Sequence, residues 1–160
     1  MIHKINLSNI ALFDLEGNGF YEKLTKIHCM VVDPNASGNP IRFGPNEIKD
    51  GVALLRRFDW VVAHNGINYD IPALVKLGFL DKRIQCFDTL VASRLLFPDR
   101  PGGHSLKAWG VRLDILKGDY GESEDESIWD EFTPEMMDYC EQDVTVLRAL
   151  YFHLLGELKK

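Results

Sequence analysis

Asp14 and Glu16 stand two residues apart at the end of Ile10–Glu16, a segment that is apolar on both faces until it turns acidic. Residues two apart on a strand project from the same face of the sheet, and a strand apolar on both faces belongs inside a doubly covered sheet. The pair therefore puts two like charges at the carboxyl end of a central strand, where open α/β sheets take their ligands. Such carboxylates repel each other and resist desolvation. A divalent cation that accepts an oxygen from each removes that penalty. The plainer alternative ends the strand at Asp14, with both acids in water and Gly17 opening a turn.

Tyr139 and Asp143 are four apart on a helical pattern and stand one above the other, roughly 5–6 Å apart at Cβ. Their row runs on to Val146 and Leu150. A carboxylate sharing a row with apolar residues is poorly explained as a solvated charge. Tyr139 on its own reads first as an amphipathic core residue. Asp70 follows WVVAH across the loop NGINY and precedes Ile71-Pro72, so it also reads as a helix cap, a role that leaves its second oxygen free for a cation. Asp88, in CFDTL, reads as a cap before Leu90.

Convergence of Asp14, Glu16, Asp70 and Asp143 would offer hard oxygen ligands of the kind that suits Mg²⁺ or Mn²⁺. Two such ions ~3.5–4 Å apart clamp an in-line displacement at phosphorus, one activating water and the other stabilising the leaving oxygen. No P-loop, GxGxxG or GxSxG pattern competes. Cys29, Cys86 and Cys140 are too far apart in sequence for a zinc motif or a disulfide framework, and each reads as a small core residue among apolar neighbours.

These acids can meet only if the elements carrying them surround one sheet. Residues 25–33 and 40–43 flank PNASGN and predict a hairpin. A helix near 46–57, a strand at 60–64, a helix near 71–77, a strand at 84–87 and a helix near 89–97 follow. The loop PDRPGGH, a helix at 105–113 and an acidic loop lead to a long terminal helix. Thr133 is placed to cap that helix, with Pro134 in its first turn, and apolar residues recur at 137, 140, 144, 147, 151 and 154. Antiparallel strands followed by alternating helices and strands argue an α/β fold with a mixed sheet.

At 160 residues the chain has room for one domain, 1–160. With 46% hydrophobic and 26% charged residues it is globular rather than disordered or fibrous. No apolar run exceeds four residues, MIHKINLSNI lacks the apolar core of a signal peptide, and a cytoplasmic protein without membrane association is expected. The net charge of −6 is unevenly spread. Residues 1–118 carry 15 Lys/Arg against 12 Asp/Glu, and residues 119–160 carry 3 against 12. A tight sequence-reading DNA binder usually has a basic surplus; transient, metal-assisted contact with nucleic acid needs none.

The set Asp14-Leu15-Glu16, the stretch NGINYD ending at Asp70, and YCEQD from Tyr139 to Asp143 resembles the three motifs of the DEDDy 3′–5′ exonucleases. HNGINYDIPAL (64–74), CFDTLVASRLL (86–96), GHSLKAWGVRL (103–113) and PEMMDYCEQDV (134–144) extend the resemblance to the proofreading domain of phage family A DNA polymerases. Tyr139 lies four before Asp143, as in the tyrosine group; the histidine group carries His five before, where this chain has Asp138. The resemblance implies an RNase H-like fold, a five-stranded mixed sheet flanked by helices. It implies that Asp14, Glu16 and Asp143 hold one metal ion, that Asp14 bridges to a second assisted by Asp70, and that Tyr139 orients the attacking water. Leu15, Asn65 and Tyr69, inside the same motifs, fall beside the substrate, with Asn65 near the 3′-terminal nucleotide. The product would be nucleoside 5′-monophosphates released from single-stranded DNA.

The polymerase domain that accompanies such exonucleases is absent from these residues. Proofreading would therefore need a separate polymerase, and independent trimming of single strands, RNA included, is the alternative. Arg94, Arg100, Lys107, Arg112 and Lys117, interleaved with Trp109, read as a phosphate track with a stacking platform, or as a mixed surface over a buried Trp109. His104, after two glycines, is a candidate phosphate contact, and the acidic stretch 119–131 reads as a solvated loop. A non-catalytic nucleic-acid or polymerase-binding module is the competing class. An RNase H-type endonuclease is a third, with no use for Tyr139.

Overall fold

Ile10, Ala11, Leu12 and Phe13 are all buried, because β1 (Ile10–Gly17) is covered on both faces. It runs antiparallel to β2 (Ile27–Pro34) and parallel to β4 (Trp60–Ala63). β3 (Ile41–Phe43) and β5 (Cys86–Asp88) complete a five-stranded sheet in the order β3-β2-β1-β4-β5. The computed structural model describes residues 9–115 and 118–160. The opening residues 1–8, read above for a signal peptide, and Lys117 of the basic segment lie outside them.

Strand parity divides the interior in two. Ala11, Phe13 and Leu15 pack with Ile48, Val52 and Leu55 of α1 (Ile48–Leu55) and with Ile71 and Leu74 of α2 (Asp70–Lys76). Gly51 lets α1 approach closely, since a Cβ there would lie 2.5 Å from Met30 Sδ. Ile10 and Leu12 face the other way, onto Cys140, Val144, Leu147 and Tyr151 of the terminal helix α5 (Pro134–Leu158). Asp14 and Glu16 continue that second row and so project toward α5. The strand's alternation thus places the acids on the side where Asp143 resides.

α5 has 25 residues and is about 37 Å long, enough to cross the sheet. The Thr133 side chain accepts a hydrogen bond from the Met136 N–H at 3.2 Å, with Pro134 in the first turn. Met137, Cys140, Val144, Leu147, Tyr151 and Leu154 are all buried, as their period predicts. Arg42 on β3 pairs with Asp138 and Glu141, tying an edge strand to the start of the helix. α3 (Thr89–Leu96) and α4 (Leu106–Arg112) pack against α5, and Ser105 caps α4 by accepting from the Ala108 N–H. No helix among the described residues is long and apolar enough to cross a membrane.

Thr133→Ala is expected to lower stability by about 1 kcal/mol in urea unfolding, with Thr133→Ser recovering most of the loss. An unchanged midpoint would show that the cap does not contribute.

Candidate active site

The tightest group of ligating atoms among the described residues is Asp14, Glu16 and Cys140, all within 4.8 Å of one another. The first two come from the carboxyl end of β1 and the third from α5. The Cys140 thiol donates to Asp14 Oδ2 at 3.6 Å. Burial pushes its pKa well above the usual thiol range, followed by a hydrogen bond with Cys29 and the charges of Asp14 and Glu16. Cys29 is there because it is the β2 partner of Glu16. Cys140 is the core residue expected, fully buried with Val144 and Leu147, but its surroundings also include Asp14, which that expectation did not foresee. It lies three residues before Asp143 and shares that residue's helix face, a spacing the sequence displayed.

Asp70 is not the helix cap that its place before Ile71-Pro72 predicts. Tyr69 occupies the cap position without a side-chain cap, and Asp70 is the first residue of α2. Its side chain turns inward, leaving the residue 3% exposed with Oδ1 lacking a hydrogen-bond partner. Burial raises its pKa to about 7, against the backbone N–H groups of Asp70 itself and Leu15, and the charges of Asp88 and Asp143 push it further up. Tyr69 donates its hydroxyl to Gly19 O at 2.8 Å. That hydroxyl is raised by burial first and then by Asp70, Glu16 and Asp14. Asp70 thus lies within electrostatic reach of Asp143, and Tyr69 within reach of the other three acids. A buried carboxylate with an orphaned oxygen, beside further carboxylates, suits a hard divalent cation.

Asp88 does more than the predicted cap. Its Oδ1 accepts from Leu90 N at 2.9 Å and from Asn65 N at 3.0 Å, while Oδ2 accepts from Ile67 N at 3.1 Å. One buried carboxylate therefore caps α3 and fixes the loop leading from β4 to Asp70. Asn65 takes φ +63° in that loop, and a Cβ on Gly66 would lie 2.5 Å from Ala63 Cβ. Sequence reasoning missed this clamp because the loop amides lie 21 and 23 residues away.

Tyr139 is half-buried and packs against Tyr120 and Trp129, with ring centroids 5.7 and 6.2 Å away. The acidic stretch is therefore not a simple solvated loop. It forms two 3-10 turns, Tyr120–Glu122 and Glu126–Trp129, whose aromatic side chains pack at Tyr139 while most of its acids face solvent. Trp129 O also contacts His28 Nε2 at 2.7 Å. Gly121 sits where a Cβ would come 2.6 Å from the Tyr139 hydroxyl.

Trp109 is fully buried and donates to Ser93 Oγ at 2.8 Å, so it offers no stacking platform. Arg100 and Arg112 lie over its ring, 4.0 and 5.5 Å from the centroid. Lys107 pairs with Glu122, and His104 Nδ1 is 2.7 Å from Ser93 Oγ. Among the described basic residues of this segment, Arg94, Lys107 and Arg112 nonetheless remain exposed, and only Arg100 is half-buried.

Asp88→Ala is expected to cost about 2–3 kcal/mol, because it strands backbone donors. Asp88→Asn, which keeps one acceptor oxygen, should cost less, and equal losses in denaturant melts would remove the clamp. Asp70 binds its proton more readily folded than unfolded. The metal-free chain therefore gains stability from this group as pH falls from about 7 toward the ordinary 3.8, and loses it as pH rises through the same window. In chelator, Asp70→Asn should melt above the wild type at pH 8 and converge with it near pH 4, about the ordinary carboxylate value. A pH-independent difference between the two melting curves would contradict the burial of an ionisable group.

No protein-family model matches the chain. It is 35% identical to the DNA-directed DNA polymerase of Enterobacteria phage T3, over a 184-residue alignment taking in 90% of the chain and 26% of the polymerase. The Escherichia phage T7 DNA-directed DNA polymerase is 34% identical with the same coverage. The chain thus spans about a quarter of the length of these relatives. Among solved structures, Brucella melitensis NrnC with bound Mg²⁺ superposes with a TM-score of 0.69 at 21% identity, over 94% of this chain and 74% of NrnC. The catalytic core of RRP6 from Trypanosoma brucei gives 0.67 at 20% identity, over 92% of this chain and 40% of RRP6. The structural likenesses establish a common fold, and the alignments establish sequence similarity to part of the phage DNA polymerases. The chain therefore has the RNase H-like fold, a five-stranded mixed sheet flanked by helices.

Proposed function

We propose that this chain is a metal-dependent 3′–5′ exonuclease of the tyrosine group, hydrolysing single-stranded DNA from its 3′ end to nucleoside 5′-monophosphates in the cytoplasm. The observation that carries the reading is the acid cluster: Asp14 and Glu16 within 4.8 Å at the end of β1, with Asp70 buried and an oxygen of it unpartnered. Mg²⁺ bound to NrnC supports a divalent cation here. Two such ions, Mg²⁺ or Mn²⁺, would activate the attacking water and neutralise charge on the leaving oxygen.

The chain's own residues supply position and charge. Asp14, Glu16 and Asp143 would hold one ion, and Asp14 with Asp70 the other. Ionised Asp70 is disfavoured in the metal-free fold, so cation binding would release its proton. Tyr139, held by Tyr120 and Trp129, would orient the water. Asn65, Leu15 and Tyr69 would border the terminal nucleotide, and His104 and Lys107 would lie along the strand's path. The likeness to phage DNA polymerases supports a proofreading role. The pGG bound to NrnC favours one further substrate, short RNA.

A 5′-labelled single strand with Mg²⁺ or Mn²⁺ should give a ladder shortened from the 3′ end, silenced by chelator and by Asp14→Ala. Parallel arms with a frayed primer-template and with RNA rank the substrates. Wild-type digestion by Asp14→Ala would sink the metal mechanism, and binding without cleavage would leave a non-catalytic module. Tyr139→Phe should slow hydrolysis by up to ~10²–10⁴-fold with Mn²⁺ binding retained; an unchanged rate would reduce Tyr139 to packing.

A further inference from the structure

Cys140 is fully buried, where a cysteine ordinarily behaves as a small apolar residue. Its surroundings here are mixed. One side belongs to the core shared with Val31 and Val144, and the other meets Asp14 Oδ2 at 3.6 Å and Glu16 within 4.8 Å. The thiol is therefore a point of polar contact between α5 and the acidic end of β1. We propose that Cys140 is a positioning residue of the site, its S–H fixing the Asp14 carboxylate in the orientation that receives cations. The inference rests on the metal-centre reading above.

A carboxylate has about four lone-pair positions, so one accepted hydrogen bond leaves room for cation coordination at the same group. Donors behind a metal ligand set its orientation and tune its affinity. With two acids close by, a neutral S–H is the form of this side chain that complements them. The Cys29 thiol, hydrogen-bonded to Cys140, holds the sulfur from the β2 side. Cys140→Ala removes the donor and opens a small space beside Asp14. Cys140→Ser keeps a donor on a shorter bond.

The test is calorimetric titration of the full chain with Mn²⁺ in the absence of nucleic acid, so that binding is read apart from turnover. Cys140→Ala is expected to bind Mn²⁺ about tenfold more weakly, the lower end of the range for such supporting contacts because a thiol is a weak donor. Cys140→Ser should recover most of the affinity. Val146→Ala, a buried truncation elsewhere on α5, should lower the melting temperature and leave Mn²⁺ affinity unchanged, which separates positioning from general loosening. Cys140→Ala binding as tightly as the wild type, or Cys140→Ser binding as weakly as Cys140→Ala, would overturn the inference alone. An ultraviolet sulfur-to-Cd²⁺ charge-transfer band that Cys140→Ala abolishes would overturn it too, by making the sulfur a ligand. A wild-type chain that takes up no Mn²⁺ would overturn the metal-centre reading and this inference with it.

Discussion

Carboxylates gathered at the end of a buried strand repel one another and resist leaving water, and the rest of this chain is arranged so that they stay together. Asp14 and Glu16 are partly shielded by the strand that carries them, and Asp70 is almost wholly buried. Native contacts that face these groups include a thiol for Asp14 and two backbone amides for Asp70. A fold selected for stability alone would have put apolar residues or water there. A divalent cation seated among these acids would offset their mutual repulsion.

Holding the acids in place falls to the two cores. β1 is gripped on one face by α1 and α2 and on the other by α5, and its parity sends the acids to the α5 side. The parallel pairing of β1 with β4 brings their carboxyl ends to one edge of the sheet, so the loop after β4 delivers Asp70 to the end of β1. Asp88 then ties that loop down from the end of β5, itself parallel to β4. A mixed sheet with β1 at its centre thus brings the start of α2 beside the end of β1, with α5 crossing the face toward which Asp14 and Glu16 project.

The aromatic packing at Tyr139 has a different character. Tyr120 and Trp129 come from a segment rich in acids and free of Lys and Arg, yet they dock against the helix that carries Tyr139 and Asp143. Their apolar surface is enough to order the two turns, while the acidic side chains stay largely in solvent. Composition described that stretch correctly and its conformation poorly, because half-buried rings pack together at Tyr139 while the charges stay solvated.

Local chemistry decided much on its own. The alternation and apolar run of β1, the Thr133-Pro134 start of α5 and the Asp88 cap are short-range patterns, and each is present as read. What depended on residues far apart in sequence was settled by packing. Asp70 became a buried first-turn residue instead of a cap because Asp88 fixes the preceding loop. Cys140 met Asp14 because α5 crosses β1 there, and Trp109 went inward beneath Arg100 and Arg112. Periodicity states which face a side chain occupies; only the crossing of elements states what that face meets.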